Sequence, residues 1–250
     1  MKRTLAVLLA LVLLLGAVPA LADDTVPAMA DHHHHGDAEP AEDGEEAPGV
    51  AELVPVDAAG FIDIGQSDWF YPSVDRVCAA GIMAGTGDGC FNPDVITTRA
   101  MVVTVLYRLG GQALPVALDA DTPLPFADVP ADAWYAPAVT WAQTIDVSRG
   151  TSYTTFDPDG QITREEFFTM VYRYAVAYGY WDEGAPLPFA DAGSIHDWAR
   201  EGLEWLTAKG LLAGKPDGRI DPTGLVTRAE TAVVLERMMT YIDGQVVYDF

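Results

Sequence analysis

The chain has few basic residues, and this shortage limits what it can bind. Of its 250 residues only 14 are Lys or Arg, against 37 that are Asp or Glu, and the formal net charge is −23. Nucleic acids and anionic membrane surfaces are bound through a basic face. We therefore exclude both classes of partner. Another anionic partner could bind only through locally placed Arg or Lys side chains.

Long apolar runs are confined to the N-terminus. Residues 5–18 form an apolar run that follows Lys2 and Arg3, and residues 20–22 read Ala-Leu-Ala, a small-x-small cleavage pattern. We interpret residues 1–22 as a secretory signal peptide, because the run is too short to span a bilayer. No Cys follows the predicted cleavage site and no later run is long enough to span. We therefore expect an exported chain without a membrane span, held at the cell by non-covalent contacts.

Cysteine is scarce, and the chain has two. Cys78 and Cys90 both lie in the first third of the predicted fold. Export favours oxidation, so a disulfide between them is one interpretation. The other is a pair of buried free thiols. A catalytic Cys is disfavoured, because His196 is the only His outside a short N-terminal tract.

Residues 23–57 have no Lys or Arg, but 11 Asp or Glu and many Ala and Pro. This composition predicts a disordered, self-repelling spacer. Within it lies a tract of four histidines: His32, His33, His34 and His35. Imidazole suits Zn, Ni and Cu, so the tract could be a metal site. Alternatively it is a biased tract without a task or a remnant of cloning, since a flexible run binds metal weakly.

A fixed pattern recurs three times along the rest of the chain. Each copy starts with Phe-x-Asp, continues with a Trp and a Gly, and reaches a Thr-Arg pair. The Phe residues are 65 and 63 residues apart, and the Thr-Arg pairs 65 and 64. The recurring residues are Phe61, Phe126 and Phe189; Asp63, Asp128 and Asp191; Trp69, Trp134 and Trp198; Gly85, Gly150 and Gly214; Thr98, Thr163 and Thr227; and Arg99, Arg164 and Arg228. Such a period indicates one supersecondary unit used repeatedly, each copy too small to bury its own core.

Each copy is predicted to fold as helix, loop and helix. The first helix follows the Trp and ends at Gly81 in copy one and at Gly210 in copy three. Copy two has Asp146 at this position, and Asp tolerates a left-handed backbone less well than Gly does. The second helix is longer and carries a wide apolar face. We therefore predict a mainly α fold, with three tandem repeats (58–112, 123–180 and 186–243) in a pseudo-threefold bundle.

The start of each long helix has its own signature. Thr163 with Glu166, and Thr227 with Glu230, match the capping box, in which the Thr and Glu side chains satisfy each other's backbone N–H groups. Thr98 lacks this partner, because Met101 stands where the Glu would be.

The motif Arg is the recurring residue that has no evident folding role. Arg99, Arg164 and Arg228 begin helices, where the macrodipole disfavours a cation by a few tenths of a kcal/mol to about 1 kcal/mol. A helix N-terminus with free N–H groups and a guanidinium favours a bound carboxylate. The alternative is that each Arg pairs internally, for example with the Asp of the Phe-x-Asp motif.

Two further sets of recurring residues allow different interpretations. A second Arg recurs nine positions after the first, near the helix C-terminus, where the dipole favours it; we interpret Arg108, Arg173 and Arg237 as structural. The three Trp residues could belong to the core, or could be platforms on which a sugar ring stacks.

The Phe-x-Asp, Trp, glycine turn and Thr-Arg-Ala-Glu of the three copies resemble S-layer homology domains, over residues 61–241. The resemblance implies a three-pronged spindle whose grooves between neighbouring repeats hold a secondary cell-wall polysaccharide, often pyruvylated. In that family the motif Arg meets the acidic ketal, with help from the Asp, the Trp and the loop glycines. The corresponding residues here are Arg99, Arg164, Arg228, Asp63, Asp128, Asp191, Trp69, Trp134, Trp198, Gly85, Gly150 and Gly214.

The copies depart from the family pattern in ways that predict unequal grooves. Met101 replaces the Glu of copy one, and Glu165 replaces the Ala after Arg164 in copy two. We expect the Glu165 carboxylate to lie beside Arg164 and to weaken that groove most. Copy three carries one additional residue before Trp198.

The leading functional hypothesis is a non-catalytic module, without a cofactor, that anchors to the cell wall at the surface of a bacterium. Its ligand would be a wall polysaccharide or a peptidoglycan-linked glycan. Its cargo would be either the acidic His-bearing spacer or a partner surface protein. One alternative is a metal-handling protein that uses the His tract. Another is a wall glycan hydrolase, disfavoured because the recurring acids come singly rather than in tuned pairs.

Overall fold

The computed structural model describes residues 58–110 and 124–246, and the predicted signal peptide, spacer and His tract lie outside them. Within these ranges the chain forms six α-helices and no strand longer than an isolated bridge. The helices are α1 (Tyr71–Ala79), α2 (Arg99–Gly110), α3 (Ala136–Thr144), α4 (Arg164–Ala177), α5 (Asp197–Ala208) and α6 (Arg228–Val246). The prediction of a mainly α fold with helix-loop-helix repeats is confirmed.

Each repeat pairs a short first helix with a longer second one. Pro lies in the first turn of α1 and α3, where its missing N–H removes no hydrogen bond. The residue after the short helix is left-handed in all three copies, with φ of 68° at Gly81, 63° at Asp146 and 68° at Gly210. Asp146 adopts this conformation although it is not Gly, and its carboxylate accepts from Arg149.

The long helix of each repeat packs against the short helix of the next. Thus α2 contacts α3, α4 contacts α5, and α6 returns to contact α1. At this last junction Arg76 of α1 donates to Glu236 at 3.0 Å and to Asp243 at 2.8 Å, both in α6. The first and third repeats are therefore joined as directly as their neighbours in sequence.

The segments before the long helices meet in a closed ring of backbone hydrogen bonds. Thr97 N donates to Val226 O (2.8 Å), Val226 N to Ile162 O (3.3 Å), and Ile162 N to Thr97 O (3.2 Å). Each repeat contributes one equivalent residue, and each bond runs to a different repeat. This cyclic order is what a pseudo-threefold bundle requires, although the symmetry itself stays a prediction.

The apolar core is continuous across the repeats. Trp141 and Trp205, on the short helices α3 and α5, are almost fully buried together with Phe91 and Phe156 from the loops. Each of these side chains packs where two repeats meet or where a loop folds onto a helix. Burial of this kind, about 25 cal/mol per Å² of apolar surface, favours folding of the three repeats together.

The two cysteines are free thiols, so the predicted disulfide is not formed. Cys78 lies on the buried face of α1, whereas Cys90 is half-buried in the following turn. Burial raises the pKa of the Cys78 thiol to about 11, which keeps it protonated and unreactive at neutral pH. The alternative of two free thiols therefore holds.

Candidate functional site

The three motif arginines are buried and reach into the next repeat. Arg99 Nε donates to Phe156 O at 2.8 Å, Arg164 Nε to Ile220 O at 2.6 Å, and Arg228 Nε to Phe91 O at 2.9 Å. Each guanidinium also lies over an aromatic ring, with 4.7–5.3 Å from Cζ to the ring centroid. The folding role that the sequence did not reveal is therefore contact between repeats.

The backbone N–H groups at these helix ends are occupied as well. Arg99 N donates to Gly160 O at 2.9 Å and Ala100 N to Pro158 O at 3.0 Å, and the other two copies repeat both bonds. The expectation that these N–H groups stay free for an anion is therefore wrong. A turn of the next repeat fills the place that a bound carboxylate would take.

The ion-pair partners of the motif arginines are the capping glutamates, not the predicted aspartates. Arg164 Nη1 lies 2.8 Å from Glu230 Oε1, and Arg99 Nη1 lies 3.8 Å from Glu166 Oε1. The equivalent partner of Arg228 would be residue 101, which is Met. Arg228 instead donates from Nη2 to Ala84 O at 2.7 Å. Internal pairing of each motif Arg, one of the two interpretations, is therefore what the contacts support, with Glu side chains and backbone carbonyls as partners in place of Asp63, Asp128 and Asp191.

The three aspartates hold the loop of their own repeat. Asp63 accepts from Phe91 N and Asn92 N at 2.8 and 2.7 Å, and Asp128 and Asp191 accept the same pair of N–H groups in their copies. Partial burial would raise the pKa of Asp128 and Asp191, but the backbone donors outweigh it and lower both pKa values. Asp128 and Asp191 therefore stay ionised, and all three carboxylates are committed to the loop by their hydrogen bonds.

The three glycines leave room for the Phe that opens each copy. A Cβ at Gly85 would lie 2.6 Å from the Phe61 ring, and one at Gly214 equally close to the Phe189 ring. At Gly150 a Cβ would meet the Phe126 ring and the carbonyl of Thr155, and the backbone φ is +78°. Any residue larger than Gly would displace the ring that closes the loop.

The three motif tryptophans are exposed, so the interpretation that they are core residues is wrong. Trp69 is 67% exposed, Trp134 42% and Trp198 52%. Trp69 and Trp134 rest edge-on against the next aromatic residue, Phe70 and Tyr135. Large, rigid and exposed faces of this kind are available for stacking.

A cavity of about 460 Å³ brings three of the predicted site residues together. Its wall includes Trp69 from the first repeat, Arg164 from the second and Gly214 from the third. Its volume lies within the range of small-molecule sites. The matching aspartate, Asp191, is not among its lining residues.

The remaining wall of the cavity is largely apolar, with a few charged groups. Phe167 and Phe168 of α4 and Val233 and Val234 of α6 supply the apolar part. The charged groups besides Arg164 are Lys215, Glu230 and Arg237. The sequence had marked Arg237 only as a structural residue, although its recurrence nine positions after the motif Arg was a signal that could have been read differently.

Glu165 does not lie where the sequence predicted. Its carboxylate, buried with 4% exposure, accepts from His196 N at 3.2 Å and lies 2.7 Å from His196 Nδ1. The His196 ring in turn stacks on Trp198. Glu165 is thus turned away from the Arg164 guanidinium, and the physical reason for expecting the second copy to be weakest is wrong.

The capping pattern of the long helices follows the sequence. Thr163 N and Thr227 N donate to the carboxylates of Glu166 and Glu230 at 2.9 and 3.0 Å, and the Thr hydroxyls accept from the Glu N–H groups. At the start of α2 only half of this pattern remains, a 3.4 Å bond from Met101 N to the Thr98 hydroxyl.

Among residues 58–110 and 124–246, no group of three or more His, Cys, Asp or Glu side chains is placed to hold a metal ion. The tract His32–His35 lies outside these ranges, so its metal binding stays a prediction. In the same ranges, no helix combines the length and apolar character needed to cross a bilayer.

Comparison with known families and proteins agrees with this architecture. A family model described as S-layer homology domain matches residues 60–100, 125–168 and 188–232, which together make up just over half of the chain. Each matched range begins at the Phe-x-Asp loop and ends within the long helix of one repeat.

Several curated proteins are similar to the chain over most of its length. A surface-layer 125 kDa protein of Lysinibacillus sphaericus is 31% identical over 200 residues, which is 78% of this chain and 16% of that protein. A cellulosome-anchoring protein of Acetivibrio thermocellus is 28% identical over 64% of this chain and 36% of its own length. An amylopullulanase of Thermoanaerobacterium thermosulfurigenes is 29% identical over 70% of this chain and 9% of its own. The chain thus spans well under half of each of these relatives.

Proposed function

The chain belongs to the family of S-layer homology domain proteins, and on that premise we propose that it is a non-catalytic module that anchors to the cell wall. The observation that carries the proposal is the cavity in which Trp69, Arg164 and Gly214 converge from three different repeats. Relatives named as surface-layer and cellulosome-anchoring proteins share this part of the chain. The module would hold the protein at the surface of a bacterial cell.

The proposed ligand is a secondary cell-wall polysaccharide that carries an acidic group, such as a pyruvyl ketal. A sugar ring has an apolar face that suits the exposed Trp69, while the Phe and Val side chains accept methyl groups. The Arg164 guanidinium at the wall adds hydrogen-bond donors for a carboxylate. A peptidoglycan-linked glycan is the other source of the same chemistry, and the experiment below separates the two.

All three copies of the motif would take part unequally. Arg99 and Arg164 are each paired with a capping Glu, whereas the equivalent position for Arg228 is Met101, so the Arg228 guanidinium has no such carboxylate to offset its charge. We expect an acidic ligand to be held more strongly near Arg228, with Trp134 as the equivalent stacking face and Gly85 as the equivalent loop glycine. Arg99 with Trp198 and Gly150 would form the third site.

The cavity favours binding over hydrolysis. Of the described residues that line it, Glu230 alone carries a carboxylate, and it is paired with Arg164. Glycoside hydrolysis generally needs two carboxylates with different proton affinities across the scissile bond. The amylopullulanase relative does not argue for an activity here, because the similarity covers only 9% of that enzyme.

The proposal is tested by co-sedimentation of the mature protein with purified cell walls. Intact walls are compared with walls stripped of secondary polymer by hydrofluoric acid. We expect pelleting with intact walls alone. Equal pelleting with both preparations would identify peptidoglycan as the ligand, and no pelleting with either would overturn the anchoring function.

A pair of tryptophan variants identifies the binding surface. Trp69→Ala, combined with Trp134→Ala and Trp198→Ala so that every proposed site loses its stacking face, should weaken pelleting at least tenfold, about 1.4 kcal/mol. Trp181→Ala is the matched control, because Trp181 is 69% exposed, close to the 67% of Trp69, and does not line the cavity. Equal loss in the two variants would mean that the cavity is not the site.

A further inference from the structure

We propose that Arg237, rather than the motif Arg164, is the residue that reads the acidic group of the ligand in the cavity. This inference rests on the proposed wall-binding function and assigns a specificity role to a residue that the sequence marked only as structural. The cations of the cavity wall differ in the partners that each already has.

Arg164 is the most heavily committed of these cations. Its Nε donates to Ile220 O at 2.6 Å and its Nη1 to Glu230 Oε1 at 2.8 Å. The residue is 4% exposed and its guanidinium lies over the Phe168 ring. Because Glu230 neutralises it, Arg164 offers the cavity donors but little net charge.

Lys215 is also compensated. Its Nζ pairs with the carboxylate of Asp221, and this contact lowers the pKa of that carboxyl. An incoming anion would compete with Asp221 for the same ammonium group.

Arg237 differs from both, because no carboxylate lies within ion-pair distance of it in the part of the chain that is described. Its one hydrogen bond there is a long one, 3.5 Å from Nη1 to Leu211 O. The side chain is half-buried on the wall formed by α6, one turn beyond Val233 and Val234. A partly desolvated charge without a counter-ion is unfavourable, and a carboxylate that enters the cavity relieves this cost.

The charge balance of the wall leads to the same residue. Arg164 cancels Glu230 and Lys215 cancels Asp221, so the remaining charge of one positive unit belongs to Arg237. The chain as a whole is strongly acidic, so this local cation is not part of a general basic surface. An anionic ligand would therefore be directed to one position in the cavity.

The first copy repeats the arrangement. Arg108 Nη1 donates to Ile82 O at 3.4 Å, as Arg237 does to Leu211 O, and burial alone lowers the Arg108 pKa, without a contribution from a carboxylate. In the second copy burial lowers the Arg173 pKa, and the positive charge of Arg149 adds to this effect more than Asp146 offsets it. Arg108 is expected to serve its own groove as Arg237 does.

The test combines a substitution in the protein with a chemical change in the ligand. The ligand is the wall polymer released by hydrofluoric acid, either untreated or with its carboxylates reduced to alcohols. Binding is measured by calorimetry in a chain that carries Trp134→Ala and Trp198→Ala, so that the cavity is the one proposed site left intact, and this chain is the wild type with respect to Arg237. Reduction should weaken wild-type binding tenfold or more. It should change binding of the Arg237→Gln variant less than twofold, because the group that reads the carboxylate is already absent. Arg237→Lys keeps the charge and should retain part of the discrimination.

Three results have distinct meanings. If reduction weakens the wild type and Arg237→Gln equally, another residue reads the carboxylate and the inference is overturned while wall binding stands. If the wild type binds neither polymer nor walls, the proposed function is overturned and the inference with it. Lys209→Gln is the control, because it removes one positive charge outside the cavity, and it should bind the polymer as the wild type does. If Lys209→Gln weakens binding as much as Arg237→Gln does, the effect is due to net charge and the inference is overturned.

Discussion

Gly150 is a position where the backbone and the packing both require glycine. Its φ of +78° is unfavourable for any residue with a Cβ, and that Cβ would meet the Phe126 ring and Thr155 O. The first effect costs about 1–2 kcal/mol and overpacking about 1–3 kcal/mol. Glycine is thus retained here for the loop, whatever ligand the groove takes.

We therefore predict that Gly150→Ala lowers the free energy of unfolding by about 2–4 kcal/mol. Urea unfolding followed by tryptophan fluorescence measures this change. Gly193→Ala is the control, because Gly193 has ordinary φ and a Cβ added there would meet no atom within 4 Å, so it should change stability by less than about 0.5 kcal/mol. A neutral Gly150→Ala would mean that the loop does not close on Phe126 in solution.

At the residue scale the sequence revealed which positions matter, but not what they contact. The motif Arg stood out because a cation at a helix N-terminus is unfavourable, and the structure shows that its contacts join one repeat to the next. Its partners, Ile220 O and Glu230 for Arg164, belong to a different repeat some 60 residues away. No spacing rule within one copy connects such groups, so their burial could not be predicted.

At the scale of the helix, the N-termini of α2, α4 and α6 differ in whether the capping Glu is present. α4 and α6 have complete capping boxes, and their Glu also meets the Arg of the preceding repeat. α2 has Met101 in that place and loses both contacts. Capping therefore couples helix stability to the junction between repeats.

Met101→Glu should complete the box and place a carboxylate near Arg228. We expect the free energy of unfolding to rise by about 0.5–2 kcal/mol, the range of a helix cap. The reverse change in an equivalent position, Glu166→Met, should lower it by a similar amount. Denaturant midpoints of the two variants measure both effects, and destabilisation by Met101→Glu would show that the junction has no room for the carboxylate.

The helices themselves were the most predictable part of the fold. Three signals mark the helix ends: Pro in the first turn, the left-handed residue after the end and the Thr-x-x-Glu box. Each acts within one or two turns, so each can be recognised from the local sequence. The order in which long and short helices pack across repeats is a tertiary property. The threefold recurrence of the motif was the sequence feature that indicated packing between repeats.

At the scale of the whole molecule, the contacts of the motif arginines and of the long helices join each repeat to another. Each motif Arg donates to the next repeat, and each long helix covers the next short helix. Within the described ranges, no repeat has its own complete core. Removal of one copy therefore exposes apolar faces on both of the others.

We predict that deletion of residues 186–250 abolishes cooperative unfolding of the remaining two copies. Deletion of residues 23–57, the predicted spacer, is the control and should leave the midpoint unchanged. Circular dichroism during thermal unfolding distinguishes the two outcomes. A sharp transition retained by the two-copy chain would mean that adjacent repeats are stable as a pair.

The hydrogen bonds from Arg228 to Phe91 and from Thr97 to Val226 return the last copy to the first. Open arrays of helical repeats can lengthen or shorten by single units, because each unit added at an end is covered by the next. In this arrangement a fourth unit would have to break an existing junction before it could join. Over the residues that the structure describes, the closed arrangement of the three copies thus leaves no exposed end at which a single further repeat could be added.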